Sequence, residues 1–138
     1  MELINGRYQI DGVDVLKIVD EFDSPVYVYS AETMKQQFEK LNNAFPGVKL
    51  GLHYACKALS NITILKYMKQ LGTGLDAVSI QEVQLGLKAG YAPDQILYTP
   101  NGVSMEEIDM AVKFGVKINI DNISILEQFG AKYANSVP

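Results

Sequence analysis

Apolar positions along the chain alternate between two periods. Short runs rich in β-branched and aromatic residues, at 26–29, 50–56, 75–78, 96–99 and 118–120, read as strands. Between them lie amphipathic stretches at 32–44, 62–71, 80–89, 105–114 and 123–133. In the first of these, Met34, Phe38, Leu41 and Phe45 fall on one side at helical spacing, and Pro46-Gly47 stops the pattern. Gly72, Gly90 and Gly115 punctuate the ends of later stretches. Residues 3–13, with a turn at Asp11-Gly12, read as a strand or hairpin, and 14–22 as a short lead-in helix.

Successive strands begin about 21–25 residues apart, the length of a compact βα unit with short loops. Strands alternating with helices imply a parallel sheet, and runs apolar on both faces suit strands covered by helices. Such a sheet either stays open or closes into a barrel, and regular spacing without long insertions favours the barrel. A (β/α)8 barrel takes about 250 residues. About five units fit in these 138 residues, and the pattern breaks at 135–138, where another strand would start. The expected organisation is therefore a strand-and-helix lead-in over 1–23, followed over 24–138 by the N-terminal portion of an α/β barrel.

Composition narrows the function. The chain is 48% hydrophobic and 20% charged, with a formal net charge of -4, an ordinary globular balance. Arg7 is the only arginine, and no basic stripe exists to meet phosphates, which argues against nucleic acid as a partner. Cys56 is the single cysteine, so no internal disulfide or CxxC metal pair is expected. Neither a signal-peptide pattern at the start nor an apolar run of bilayer length is present. A cytoplasmic protein is the expectation.

In βα barrels, chemistry sits at the carboxyl ends of the strands. Polar residues expected there are Ser30, Lys57, Asp76 with Ser79, Asn101, and Asp121 with Asn122. Lys57 stands out: it ends an apolar strand between Cys56 and Ala58, whereas the other lysines fall on helix surfaces or before strands. A lysine there would lose hydration, which favours the free amine, the nucleophile that forms an imine with an aldehyde. The small neighbours would leave room for a flat ring. The same position also suits a lysine that reaches into solvent, and local context leaves both readings open.

The motifs add a resemblance. Tyr54-Ala55-Cys56-Lys57-Ala58 resembles the Tyr-Ala-Val-Lys-Ala-Asn segment around the pyridoxal lysine of the ornithine, diaminopimelate and arginine decarboxylase family. Ser24-Pro25-Val26-Tyr27-Val28-Tyr29 resembles the Thr-Pro-Leu-Tyr-Val-Tyr opening of its diaminopimelate branch. Residues 74–82 resemble its Gly-Ala-Asp-Val-Val-Ser-Gly-Gly-Glu segment, and 96–102 its next strand and turn. Leu59 replaces an asparagine, and Ile80-Gln81 replaces a glycine pair.

The resemblance implies an alanine-racemase-like barrel carrying pyridoxal 5'-phosphate on Lys57, with Ala55, Asp76 and Glu82 in the cofactor pocket. It implies decarboxylation of an amino acid, foremost meso-2,6-diaminopimelate to L-lysine, in a homodimeric enzyme whose phosphate-binding loop, substrate arginine and β-domain with a catalytic cysteine come from later sequence. These 138 residues alone would then be inactive. Ornithine- or arginine-type substrates are the nearest enzyme alternatives. A non-catalytic pyridoxal-binding homologue, or an open α/β domain with Lys57 merely solvated, are alternatives of another kind.

Several of these residues have structural readings too. Asp76 could cap a turn. Ser79 to Glu82 fits a capping box, as does Ser104 to Glu107. His53, the only histidine, shares the inward face with Ala55 and Lys57 and is expected to be a hydrogen-bonded core residue. Tyr27, Tyr29 and Tyr54 are expected to pack.

Overall fold

A computed structural model describes residues 1–134 and 136–137. The chain divides into two compact units, Met1–Val48 and Lys49–Pro138.

The first unit begins with a three-stranded antiparallel sheet, β1 (Glu2–Ile4), β2 (Arg7–Ile10) and β3 (Val13–Asp14). Its two turns sit at Asn5-Gly6 and Asp11-Gly12, all four residues at positive φ. This is the pairing that tight hairpin turns of the I′ type demand. Helix α1 (Val15–Phe22) starts on Asp14, whose side chain accepts from the Leu16 amide at 2.9 Å. The Asp14 carboxylate also binds Arg7 Nη1 at 2.6 Å. Helix α2 (Ala31–Asn42) starts on Ser30, whose hydroxyl accepts from Thr33 N and donates to Asp11 Oδ1 at 2.6 Å. The Asp11 carboxylate, which also accepts from Glu32 N, thus ties the hairpin turn to the start of α2 and meets the positive end of that helix.

Residues 26–29 form no strand. Tyr27 is 88% exposed, and the segment, with Ile10, Val13, Ile18 and Phe22, lines an apolar groove of about 410 Å³. Apolar alternation alone makes no strand where no backbone ladder forms.

The second unit holds a four-stranded parallel sheet in the order β4 (His53–Ala55), β5 (Gly74–Ala77), β6 (Ile96–Tyr98), β7 (Lys117–Ile118). Between and after the strands lie α3 (Ile62–Leu71), α4 (Ile80–Ala89), α5 (Met105–Phe114) and α6 (Ile123–Tyr133). The four helices match their expected ranges. Their caps explain why: Asn61, Ser79, Ser104 and Asn122 each accept an amide at the helix start, and Gly72, Gly90 and Gly115 close three of them in the left-handed region.

Strands β4, β6 and β7 are shorter than expected, and β5 keeps four residues but starts one position earlier. The 50–56 run is a strand only over His53–Ala55, and from Cys56 the chain turns into a 3-10 helix, Cys56–Ala58. Asn135 and Pro138, where the pattern places the start of a further strand, lie outside the described residues.

Alternation along the strands sorts their side chains. Leu75, Ala77, Ile96 and Tyr98 are fully buried among Leu65, Val83, Ile108 and Ala111 of the helices. Helix α4 comes close enough to the sheet that a Cβ on Gly86 would collide with Leu75 Cδ2. His53, Ala55, Gly74, Asp76, Leu97 and Lys117 occupy the other face and are half-buried or exposed. No helix among the described residues is long and apolar enough to cross a membrane.

Candidate active site

The site grows from the carboxyl ends of β4, β5 and β6. Parallel register sets Ala55 opposite Asp76 and Asp76 opposite Leu97. All three lie on the face that the helices leave open.

After Ala55 the chain tightens into the Cys56–Ala58 turn, closed by Leu59 N donating to Cys56 O at 3.1 Å. The Tyr54 hydroxyl donates to Leu59 O at 3.2 Å, so Tyr54 anchors this turn as well as packing. Cys56 points into the core and is fully buried, while Lys57 is exposed. Strand alternation therefore ends at Ala55, and the expectation that Lys57 continues the inward face of a strand is corrected. Lys57 instead lies exposed on a short turn that follows β4.

Burial, with the negative charges of Glu82 and Asp76, pushes the Cys56 thiol up to about 11. Both carboxylates thus act on the residue next to Lys57, and the turn packs against β5.

Asp76 accepts from Thr99 Oγ1 at 2.5 Å. Thr99 follows β6 directly, and its amide is bound to Ala77 O at 2.8 Å. The turn-capping reading of Asp76 does not hold here, because its carboxylate accepts from a side chain at the neighbouring strand end. Thr99, which the hydrophobic pattern places in a strand, lies just past β6 with its hydroxyl on Asp76. Its hydroxyl's distance in sequence from Asp76 gave no signal of the contact.

Glu82 has the capping geometry, displaced by one residue. Ser79 Oγ accepts from Glu82 N at 3.2 Å, but Glu82 Oε2 accepts from Val78 N at 2.8 Å rather than from Ser79 N. The carboxylate closes the loop between β5 and α4. The Ser104–Glu107 box forms as expected, with both reciprocal bonds. Asn122 caps α6 and donates to Asp121. Ser30 belongs to the first unit, where it caps α2.

His53 is exposed rather than a core residue. Its ring lies over Gly74: a Cβ there would meet His53 Cδ2 at 2.5 Å and Gln95 O at 2.9 Å. Only glycine gives the ring that seat. Among the described residues, no group of three or more His, Cys, Asp or Glu could hold a metal ion.

The arrangement offers an accessible primary amine on a rigid turn, a small side chain at Ala55, and an acceptor carboxylate held by a hydroxyl. That set suits the covalent capture of an aldehyde beside an open, flat face.

Known proteins carry the same arrangement of chain. The family described as pyridoxal-dependent decarboxylase, pyridoxal binding domain, matches residues 31–137. A diaminopimelate decarboxylase of Methanothermobacter thermautotrophicus is 37% identical over 123 residues, covering 88% of this chain and 29% of that protein. The crystal structure of diaminopimelate decarboxylase from M. jannaschii in complex with L-lysine superposes with a TM-score of 0.86 at 28% identity, over 95% of this chain and 32% of that one. A lysine/ornithine decarboxylase from Vibrio vulnificus complexed with putrescine gives 0.78 at 28% identity, over 86% of this chain and 32% of that one. The chain thus spans under a third of the length of these relatives. The fold, α/β with a parallel sheet, is that of the N-terminal portion of their alanine-racemase-like barrel.

Proposed function

Because the chain belongs to the pyridoxal-dependent decarboxylases, through their pyridoxal-binding domain, we propose that Lys57 is the lysine to which pyridoxal 5'-phosphate is bonded in an amino-acid decarboxylase. The observation that carries this reading is the exposed Lys57 amine on the turn after β4, beside the open face that bears Ala55 and Asp76. The residues fit the cofactor. Lys57 Nζ supplies the nucleophile for its aldehyde carbon, the Ala55 methyl leaves space beside a flat ring, and Asp76 and Glu82 supply negative charge next to the turn.

When bound, pyridoxal phosphate supplies an electron sink for the pair left as carbon dioxide departs. This chain's own side chains do the rest of what falls to it. Lys57 Nζ would hold the cofactor, and once the substrate amine had taken its place the same Nζ would hold a proton within the site. The Asp76 carboxylate accepts from the Thr99 hydroxyl. Glu82 fixes the loop that follows Asp76.

The substrate reading is meso-2,6-diaminopimelate, giving L-lysine. Diaminopimelate decarboxylases among the relatives support it. The likeness to the lysine/ornithine decarboxylase favours a second reading, ornithine-type substrates. Release of carbon dioxide from meso-diaminopimelate but not from ornithine by the full-length protein decides for the first, and the reverse for the second.

We further read residues 24–138 as the N-terminal part of the barrel, and the whole protein as a cytoplasmic homodimer. The family match over residues 31–137 supports the barrel reading, and the free Cys56 suits a reducing compartment.

The central assignment is tested by incubating the full-length protein with pyridoxal phosphate, reducing with borohydride and mapping peptides. The expected result is a pyridoxyl adduct on Lys57, absent from Lys57→Ala. An adduct on another lysine of the folded protein would overturn it.

A further inference from the structure

Asp76 is half-buried between Ala55 and Leu97 on the open face, and among the described residues it takes part in no ion pair. The hydrogen-bond partner of its carboxylate is the Thr99 hydroxyl, at 2.5 Å. The bond is not needed to join the strands. Backbone bonds already tie β5 to β6, including Thr99 N to Ala77 O at 2.8 Å. That same backbone bond sets Thr99 beside the end of β5, where its hydroxyl reaches Asp76. A neutral donor fixes the carboxylate without cancelling its charge. The second oxygen accepts from no described residue, and the Asp76 charge is felt at Cys56, in the turn that carries Lys57.

We propose that Thr99 is a positioning residue: its hydroxyl holds Asp76 in the orientation from which the carboxylate acts on the cofactor bonded to Lys57. The inference rests on the assignment of the cofactor to Lys57. It predicts that a group touching no cofactor nevertheless sets how tightly, and in what protonation state, the cofactor is held. Valine at 99 keeps the shape of threonine and removes the donor, leaving the carboxylate free to turn away. Serine keeps the donor.

The test uses the full-length protein as parent, Thr99→Val, Thr99→Ser, Asp76→Asn and the Thr99→Val/Asp76→Asn double variant. Pyridoxal phosphate affinity of the apo forms and the pH midpoint of the bound cofactor's absorbance are measured. Thermal melting of the apo forms reports folding separately. Thr99→Val is expected to bind about tenfold more weakly, the factor that 1.4 kcal/mol represents, and to move the spectral midpoint. Thr99→Ser restores both, and Thr99→Val has no further effect once Asp76 is asparagine. A purely structural role would lower apo melting and leave the spectral midpoint in place. Parent-like affinity and midpoint in Thr99→Val, or an equal loss with Asp76→Asn already present, overturns the inference while Lys57 keeps its adduct. Where Thr99→Val does not fold, Thr99→Ser against Asp76→Asn still decides: a Ser variant that behaves like Asp76→Asn overturns it. Loss of the adduct from Lys57 itself in the parent overturns the cofactor assignment and this inference together.

Discussion

Tyr98 is fully buried on the helix-covered face of the sheet, and its hydroxyl finds no partner among the described residues. Burial, with the charge of Glu107 added, raises its ionisation to about 12, so it stays neutral throughout the working pH range. An unpaired buried hydroxyl costs about 1–3 kcal/mol in lost hydration. Tyr98→Phe keeps the ring and removes that cost. We expect unchanged or raised stability, by up to about 1 kcal/mol, in chemical denaturation. A clear loss would show that the hydroxyl has a partner after all. Cys56 is the contrasting case. With its thiol held near 11, only about one molecule in a thousand is thiolate at pH 8. It should resist iodoacetamide in the folded protein and react on unfolding. Rapid labelling of the native state would refute this account of the turn beside Lys57.

At the scale of elements, junctions are made by carboxylates and by close approach. Asp109 on α5 accepts from Lys132 and, at 2.7 Å, from the Tyr133 hydroxyl, both on α6. The Lys132 hydrogen bond, then that of Tyr133, holds the Asp109 carboxyl below its ordinary value of 3.8. Asp14 is lowered by the Arg7 hydrogen bond first, and Asp11 by that of Ser30. A carboxylate depressed in the folded state contributes stability in full above its unfolded value, and loses it as pH falls through the folded one. The α5–α6 contact should therefore hold at neutral pH and weaken below about pH 4. Asp109→Asn should flatten the acid limb of the melting curve; an unchanged acid limb would mean that the contact contributes nothing.

Packing of α4 depends on Gly86. Its replacement by alanine gains helix propensity of up to about 1 kcal/mol. It also drives a methyl into Leu75, with Ile96 Cδ1 only 3.2 Å from the new Cβ. Overpacking costs about 1–3 kcal/mol. Net destabilisation is expected in urea titration, and a stabilised variant would show that α4 can move off the sheet.

For the molecule as a whole, the consequential feature is that the parallel sheet is covered on one face. Leu75, Ile96 and Tyr98 are sealed beneath helices, while Ala55, Asp76 and Leu97 lie on the face the helices leave open. Among the described residues, β4 and β7 stand at the two ends of the sheet's order, and sheet edges template association. The 138-residue chain on its own should associate. Light scattering that shows a monomer with cooperative unfolding would contradict this.

The sequence by itself determined the helices from α3 to α6, because capping residues and closing glycines act within a few positions of each other. It also determined the parallel α/β alternation, and it singled out Lys57, because an amine at the end of an apolar run is a local anomaly. Tertiary structure decided what depends on partners far along the chain. Residues 26–29 are as apolar as a strand but pair with nothing in their unit. The turn at Cys56–Ala58 takes Lys57 out of strand alternation and leaves it hydrated, which residue pattern alone could not show. His53 lies over Gly74 in place of a seat in the core. Thr99 gains its meaning only when parallel register carries its hydroxyl to Asp76, 23 residues away.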